Sequence, residues 1–177
     1  KMLYIAGMVI VYTGEGKGKT TAALGLALRA AGYQKKILIV QFGKAEFSGE
    51  LKSLKLLKTV KIIQGGRGFV GILGDNLDRE EHKKAALDIY NYIYKEAISG
   101  KWDIVVADEI IGAVAVKLIT LSQVLRLIKD KPAKLDLVLT GRNAHPKLID
   151  KADLVTEMVS LKHPFTKGIP AKEGIDF

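Results

Sequence analysis

Apolar residues fall into short unbroken runs separated by longer stretches where they recur every three or four positions. Met8 to Thr13, Ile37 to Val40, Val60 to Ile63, Ile104 to Ala107, Leu135 to Leu139 and Leu154 to Val155 are the runs. Runs without alternation suit strands covered on both faces, as in a parallel sheet. The stretches between them predict helices. Thr20 to Ala31 is rich in Ala and Leu, and Gly32 stands where a C-terminal cap belongs. Asp78 with Glu81 reads as a capping box, opening a helix with Ala86, Ile89 or Tyr90, Ile93 and Ala97 on one face. Thr120 with Gln123 opens another, with a stripe of Leu121, Val124, Leu125 and Ile128 and with Pro132 past its end.

Strand–helix alternation over 177 residues predicts one α/β domain spanning 1–177, with a mostly parallel central sheet between helical layers. Ligands of such sheets bind at the carboxyl ends of the strands. One segment breaks the pattern. Gln64 to Asp75 holds five glycines around Arg67 and Phe69. It reads as a loop, either functional or a plain connector.

Composition narrows the chemistry. There are no cysteines, which excludes disulfides, thiolate metal sites and cysteine nucleophiles. Lys and Arg number 28 against 19 Asp and Glu, a net charge of +9. That balance favours anionic partners, although excess lysine also serves solubility. No run reaches the ~20 apolar residues of a membrane span, and nothing marks secretion, so a cytoplasmic setting without membrane partners is expected.

Thr13 to Thr21 reads TGEGKGKTT, between a predicted strand and a predicted helix. Glycines there let backbone N–H groups approach phosphate oxygens, and the helix N-terminus adds partial positive charge. Lys19 supplies a full charge, and Thr20 offers a hydroxyl to magnesium. The usual pattern has glycine at the first position, where Thr13 stands. The competing reading is a glycine-rich turn that binds nothing. Ile104 to Glu109, IVVADE, is an apolar strand ending in Asp-Glu, the Walker B pattern. A carboxylate there holds magnesium and so offsets triphosphate charge. Alone it also suits a helix start. With the phosphate loop it points to ATP and magnesium.

Beyond these two motifs the chain resembles the ATP:corrinoid adenosyltransferases from Val9 to Phe177. The matching pieces are VYTGEGKGKTTAALGLALRAAGY (Val11 to Tyr33), VQFGK (Val40 to Lys44), GRGF (Gly66 to Phe69), VVADEI (Val105 to Ile110), LTGR (Leu139 to Arg142), ADLVTEM (Ala152 to Met158) and KHPFTKGIPAKEGIDF (Lys162 to Phe177). The phosphate loop without its first glycine is itself a mark of that family.

The resemblance implies a three-layer, RecA-like fold. It also implies transfer of the 5′-deoxyadenosyl group of ATP to a Co(I) corrinoid, cobalamin or a precursor such as cobyrinic acid a,c-diamide, with intact triphosphate released. It implies that Gly14, Glu15, Gly16, Lys17, Gly18, Lys19, Thr20 and Thr21 hold the triphosphate. Thr20 and Glu109, with Asp108 beside them, would hold Mg2+ or Mn2+. Arg29 and Arg142 would touch the nucleotide. Lys19, Thr20 and Phe69 are the catalytic candidates, Phe69 as an apolar ring beneath the corrin. Gly71 stands where some members carry tryptophan, which points to a weaker lower-face device and a corrinoid without its nucleotide base. Gln41 and Lys44 end a strand at the ligand edge, His163 is a candidate contact, and Trp102 is read as structural. A homodimer, a reducing partner such as a flavoprotein, and a short or absent N-terminal extension are further expectations. Two alternatives are a P-loop ATPase of another kind and a RecA-like nucleic-acid-binding module. The basic residues are spread along the chain without an aromatic cluster, which weighs against the latter.

Overall fold

The computed structural model describes residues 6–43, 48–65 and 78–176. Six strands form one sheet: β1 (Val9–Thr13), β2 (Ile37–Phe42), β3 (Val60–Gly65), β4 (Ile104–Asp108), β5 (Asp136–Thr140) and β6 (Leu154–Glu157). Their order is β3-β2-β4-β5-β1-β6, and every pairing is parallel. Helices α1 (Lys19–Gly32), α2 (Gly49–Lys55), α3 (Arg79–Ala97), α4 (Ile110–Ala115), α5 (Leu121–Asp130) and α6 (Pro146–Ile149) connect them, and a 3₁₀ turn covers Pro164–Lys167.

Successive strand residues face opposite layers, so the apolar runs of β1 to β5 feed two cores, whereas Leu154 and Val155 of the edge strand β6 are exposed and join neither. Val9, Val11, Leu38, Val40, Val105, Ala107, Leu137 and Leu139 join the core under α3, α4 and α5. Ile10, Ile37, Ile39, Ile104, Val106 and Val138 join the core under α1. That is why β2 is buried at every position and carries no polar alternation. Helix α1 meets the sheet through Ala23, Ala27 and Ala31, spaced four apart on one face. Small side chains there let its N-terminus, and the loop before it, lie close above the strand ends.

Several local expectations change. Gly32 is the last residue of α1, and Tyr33 caps the helix. The left-handed residue is Gln34, with φ 59, because the reversal into β2 comes two residues later. Asp78 does cap α3, but its side chain makes no capping bond; its carbonyl accepts from the Glu81 and His82 N–H groups instead. The Thr120–Gln123 box is fully formed. On α5 Val124 reaches the core as expected and Leu127 joins it, both fully buried, while Leu125 is half-buried. Helices α2, α4 and α6 are too short to leave a periodic signal in the sequence. Lys44 and the segment from Gly66 through Phe69, Gly71 and Gly74 lie outside the described residues.

Candidate active site

The loop after β1 turns through Gly14 (φ 95) and Gly18 (φ 117) before α1 begins at Lys19. These angles favour glycine. Space demands it too: a Cβ on Gly14 would stand 2.4 Å from the Met158 carbonyl oxygen, and one on Gly16 2.7 Å from it. Met158 follows β6, which pairs with β1. The Gly16 N–H donates to the Met158 carbonyl at 2.7 Å, and the Met158 N–H donates to the Thr13 carbonyl at 2.8 Å. The edge strand thus braces the phosphate loop. Thr13 has its own use at the first loop position. It is buried, and its Oγ1 accepts from the Ala144 N–H at 3.2 Å, tying the loop to the connection after β5.

Lys19 is the buried cation of the loop. Its Nζ donates to the carbonyls of Gly14 at 2.7 Å and Gly16 at 2.8 Å. Burial lowers its pKa from the ordinary 10.5, while the nearby Glu109 carboxylate acts in the opposite sense. Thr20, one residue on, donates from Oγ1 to Asp108 Oδ1 at 2.9 Å.

Asp108 is fully buried at the end of β4. Thr140 Oγ1 also donates to its Oδ1, at 2.7 Å, and Gln41 Nε2 donates to its Oδ2 at 3.1 Å. Thr140 in turn accepts from the Glu109 N–H at 2.8 Å. Glu109 takes a left-handed backbone (φ 63) and caps α4. For a non-glycine residue this costs of order 1–3 kcal/mol, a strain that clusters at functional positions. Here it lets the chain leave β4 with Asp108 under the loop and Glu109 among the cleft-lining residues.

These groups form one wall of a cleft of about 1030 Å³. Residues 15–21 line it with Glu109 and Arg142; α2 adds Glu50, and the C-terminal segment adds His163 and Asp176. Its volume lies at the upper end of the ~300–1,000 Å³ typical of small-molecule sites. Two cations at its rim are paired within the chain: Lys17 with Asp176 at 2.7 Å, and Arg142 with Glu15 at 3.4 Å.

Thr20, Asp108 and Glu109 are hard oxygen donors, the type that suits magnesium. Among the described residues no group of three His, Asp or Glu gathers to hold a metal unaided. Magnesium keeps waters and takes substrate phosphates as partners, so a few oxygen donors suffice to hold it. The residues present therefore fit a cation held jointly with a triphosphate.

The structure brings Glu15 to Thr21, Glu109 and Arg142 to one cleft, with Asp108 buried behind it; Gly14 does not line it and instead accepts from Lys19 through its carbonyl. Arg29 is not brought there: it is exposed in the last turn of α1, ~15 Å along the axis from Lys19 at 1.5 Å per residue. His163 lines the cleft, and its Nδ1 accepts from the Phe165 N–H at 3.2 Å, capping the 3₁₀ turn. Trp102 is structural, as expected, and its Nε1 donates to Glu96 at 2.8 Å. Phe69 lies outside the described residues. Thr140, Gln64 and Asp176 carry no assigned role in the sequence reading. Thr140 and Gln64 do share a signal, each being a polar residue that directly follows an apolar run near the carboxyl end of its strand.

The chain matches the family described as ATP:corrinoid adenosyltransferase BtuR/CobO/CobP over residues 6–177. It is 33% identical to the corrinoid adenosyltransferase of Escherichia coli (strain K12) over 171 residues, 97% of this chain and 86% of that protein. With the corrinoid adenosyltransferase of Pseudomonas aeruginosa it is 34% identical over 173 residues, covering 97% and 84%. A solved KaiC-like protein from Pyrococcus horikoshii superposes with a TM-score of 0.57 at 18% identity, covering 86% of this chain and 73% of that one, a likeness of fold alone. Family match and phosphate-loop geometry agree, and the chain belongs to the ATP:corrinoid adenosyltransferases.

Proposed function

We propose that this cleft binds ATP with its triphosphate on the loop between β1 and α1, and presents the ribose C5′ to a corrinoid. The observation that carries the reading is the junction of three features: Lys19 across the loop, Thr20 hydrogen-bonded to Asp108, and a cleft roomy enough for more than a nucleotide. In the reaction the Co(I) electron pair forms the cobalt–carbon bond to C5′. The C5′–O5′ bond breaks, and the triphosphate leaves with that electron pair.

Such a reaction asks no base or nucleophile of the protein. It asks for alignment and for charge stabilisation on the leaving group. Alignment of bound partners supplies up to ~7–11 kcal/mol in the best cases. The loop N–H groups, the α1 N-terminus and Lys19 stabilise charge where the triphosphate departs. Thr20 and Glu109 would hold Mg2+ or Mn2+ there with the triphosphate, Asp108 orienting Thr20; the cation supplies further charge neutralisation. Arg142 exchanges Glu15 for the nucleotide, and Lys17 exchanges Asp176. Phe69 contacts the corrin, the enzyme works as a cytoplasmic homodimer, and a flavoprotein-type reductant supplies Co(I).

The test is direct. The protein is mixed with ATP, Mg2+ and chemically reduced cob(I)alamin or cob(I)yrinic acid a,c-diamide. The cobalt–carbon product is followed spectrally and the phosphates by chromatography. Adenosylcorrinoid with stoichiometric triphosphate is the expected result. ADP and phosphate without adenosylcorrinoid would overturn it.

A further inference from the structure

Sheet register places four polar residues in one row. Gln41 pairs with Gln64 of β3 on one side and with Asp108 of β4 on the other. Val106 pairs with Val138, so two residues further along β4 and β5 Asp108 and Thr140 extend the same row. By strand parity all four point to the α1 side, one step beyond the apolar layer of Ile39, Ile62, Val106 and Val138. Gln41 and Asp108 are fully buried.

The row has a polarity. An ionised carboxylate only accepts hydrogen bonds. Gln41 must therefore turn its NH₂ to Asp108 Oδ2, at 3.1 Å. Its carbonyl oxygen is then left facing β3, where Gln64 Nε2 donates to it at 3.1 Å. Reversing either amide would set oxygen against oxygen. On the far side, Thr20 and Thr140 donate to Oδ1 at 2.9 and 2.7 Å. Burying an amide near the end of a strand of Ile, Leu and Val is unfavourable unless it is hydrogen-bonded, so packing alone would select an apolar residue at position 41.

We propose that Gln41 is a positioning residue for the cation end of the active site, and that Gln64 acts through it. Gln41 holds Oδ2 and so fixes the rotation of the Asp108 carboxylate. That rotation sets where Oδ1 meets the Thr20 hydroxyl, and Thr20 is the group that faces the triphosphate and its cation. Gln64 selects which way the Gln41 amide faces. It also stands one residue before the end of β3 and is the first residue of the glycine-rich stretch Gln64 to Asp75, so the row links the end of β3 with the phosphate loop. The inference rests on the reading of this cleft as a site for ATP and a divalent cation.

The experiment uses the full chain and the variants Gln41→Leu, Gln64→Leu and the double variant. ATP binding is titrated calorimetrically with and without Mg2+, thermal midpoints are recorded, and kcat is measured against Mg2+ concentration. Partners that orient metal-site ligands change metal affinity by about 10–100-fold when removed. Gln41→Leu is expected to keep metal-free ATP affinity, to raise half-saturating Mg2+ by about that factor, and to recover kcat at high Mg2+. Gln64→Leu should give a smaller shift of the same kind, and the double variant should equal Gln41→Leu, because one residue acts through the other. Unchanged Mg2+ dependence in a folded Gln41→Leu protein would overturn the proposal. So would losses that multiply in the double variant. If Gln41→Leu does not fold, Gln64→Leu decides alone: its half-buried position tolerates the change, and an unshifted Mg2+ dependence refutes the relay. A wild-type protein whose ATP binding ignores Mg2+ would overturn the cation assignment itself, and one that forms no adenosylcorrinoid would overturn the functional reading.

Discussion

The two ends of the cleft are built in opposite ways. At the phosphate end, Lys19, Asp108, Gln41 and Thr140 are buried and held by hydrogen bonds whose partners are themselves held. At the C-terminal end, Phe165 is 78% exposed, Ile175 64% and Leu161 94%, and the segment is tied back by surface contacts such as Lys17–Asp176. Buried polar groups are costly to leave unpaired, so the first region has one arrangement available to it. Surface ion pairs contribute little, so the second region opens at small cost. On the proposed reading, charge stabilisation uses the first kind of construction. One cleft between them serves a reaction whose protein task is alignment.

Substitutions should separate the ends by size of effect. The largest is expected at Lys19. Lys19→Ala should slow adenosylcorrinoid formation by about 10²–10³-fold, the usual loss on removing one donor that faces developing charge. Single-turnover rates at saturating ATP check this. A loss under tenfold would mean that the loop N–H groups carry the leaving group alone.

Next comes Asp108→Asn. It removes a buried charge that accepts from Thr20, Thr140 and Gln41. Hydrogen bonds to charged groups are worth about 1.5–3 kcal/mol. A loss of at least that size should appear in urea unfolding, together with weaker Mg2+ dependence. Equal stability to wild type would contradict the account of the phosphate end as mutually fixed.

A pH titration sharpens the same point. The Lys19 pKa is lowered by burial. The protonated form is therefore lost as pH rises through a value below the ordinary 10.5, and ATP affinity should fall in that window. The same shift works the other way on stability: the charged, buried lysine opposes folding at lower pH, and that cost disappears as pH climbs toward 10.5. Lys19→Ala should flatten both trends. Affinity constant up to pH 10.5 would contradict the buried setting.

The smallest effect belongs to the C-terminal end. Asp176→Asn breaks an exposed pair and should leave the thermal midpoint unchanged. Because Asp176 competes with triphosphate for Lys17, triphosphate should bind slightly tighter, by less than about fivefold. The Lys17 hydrogen bond, then the Lys172 N–H, lower the Asp176 pKa, so the clasp holds above its ordinary 3.8 and is lost as pH falls through the lowered value. A change of tenfold or more would make the tail part of the rigid site.

The amino-acid sequence by itself determined β1, β2, β4 and β5, because residues buried on both sheet faces leave unbroken apolar runs; the edge strands β3 and β6 are not buried in that way, and β6 is exposed throughout. The sequence determined the phosphate loop as well, since glycines, Lys19 and Thr20 act through neighbouring backbone. It also carried the family. Tertiary structure decided what depends on residues far apart in the chain. The use of Thr13 came from Ala144, the brace of the loop from Met158, and the row Gln64–Gln41–Asp108–Thr140 from strands that pair only once the sheet is wound. It set Arg29 apart from the cleft too, because a helix of known rise carries its last turn away from its first. Periodicity and local motifs are properties of consecutive residues. Strand order and register are not, and in this enzyme the carboxylate behind the phosphate loop gets two of its partners, Gln41 and Thr140, from them.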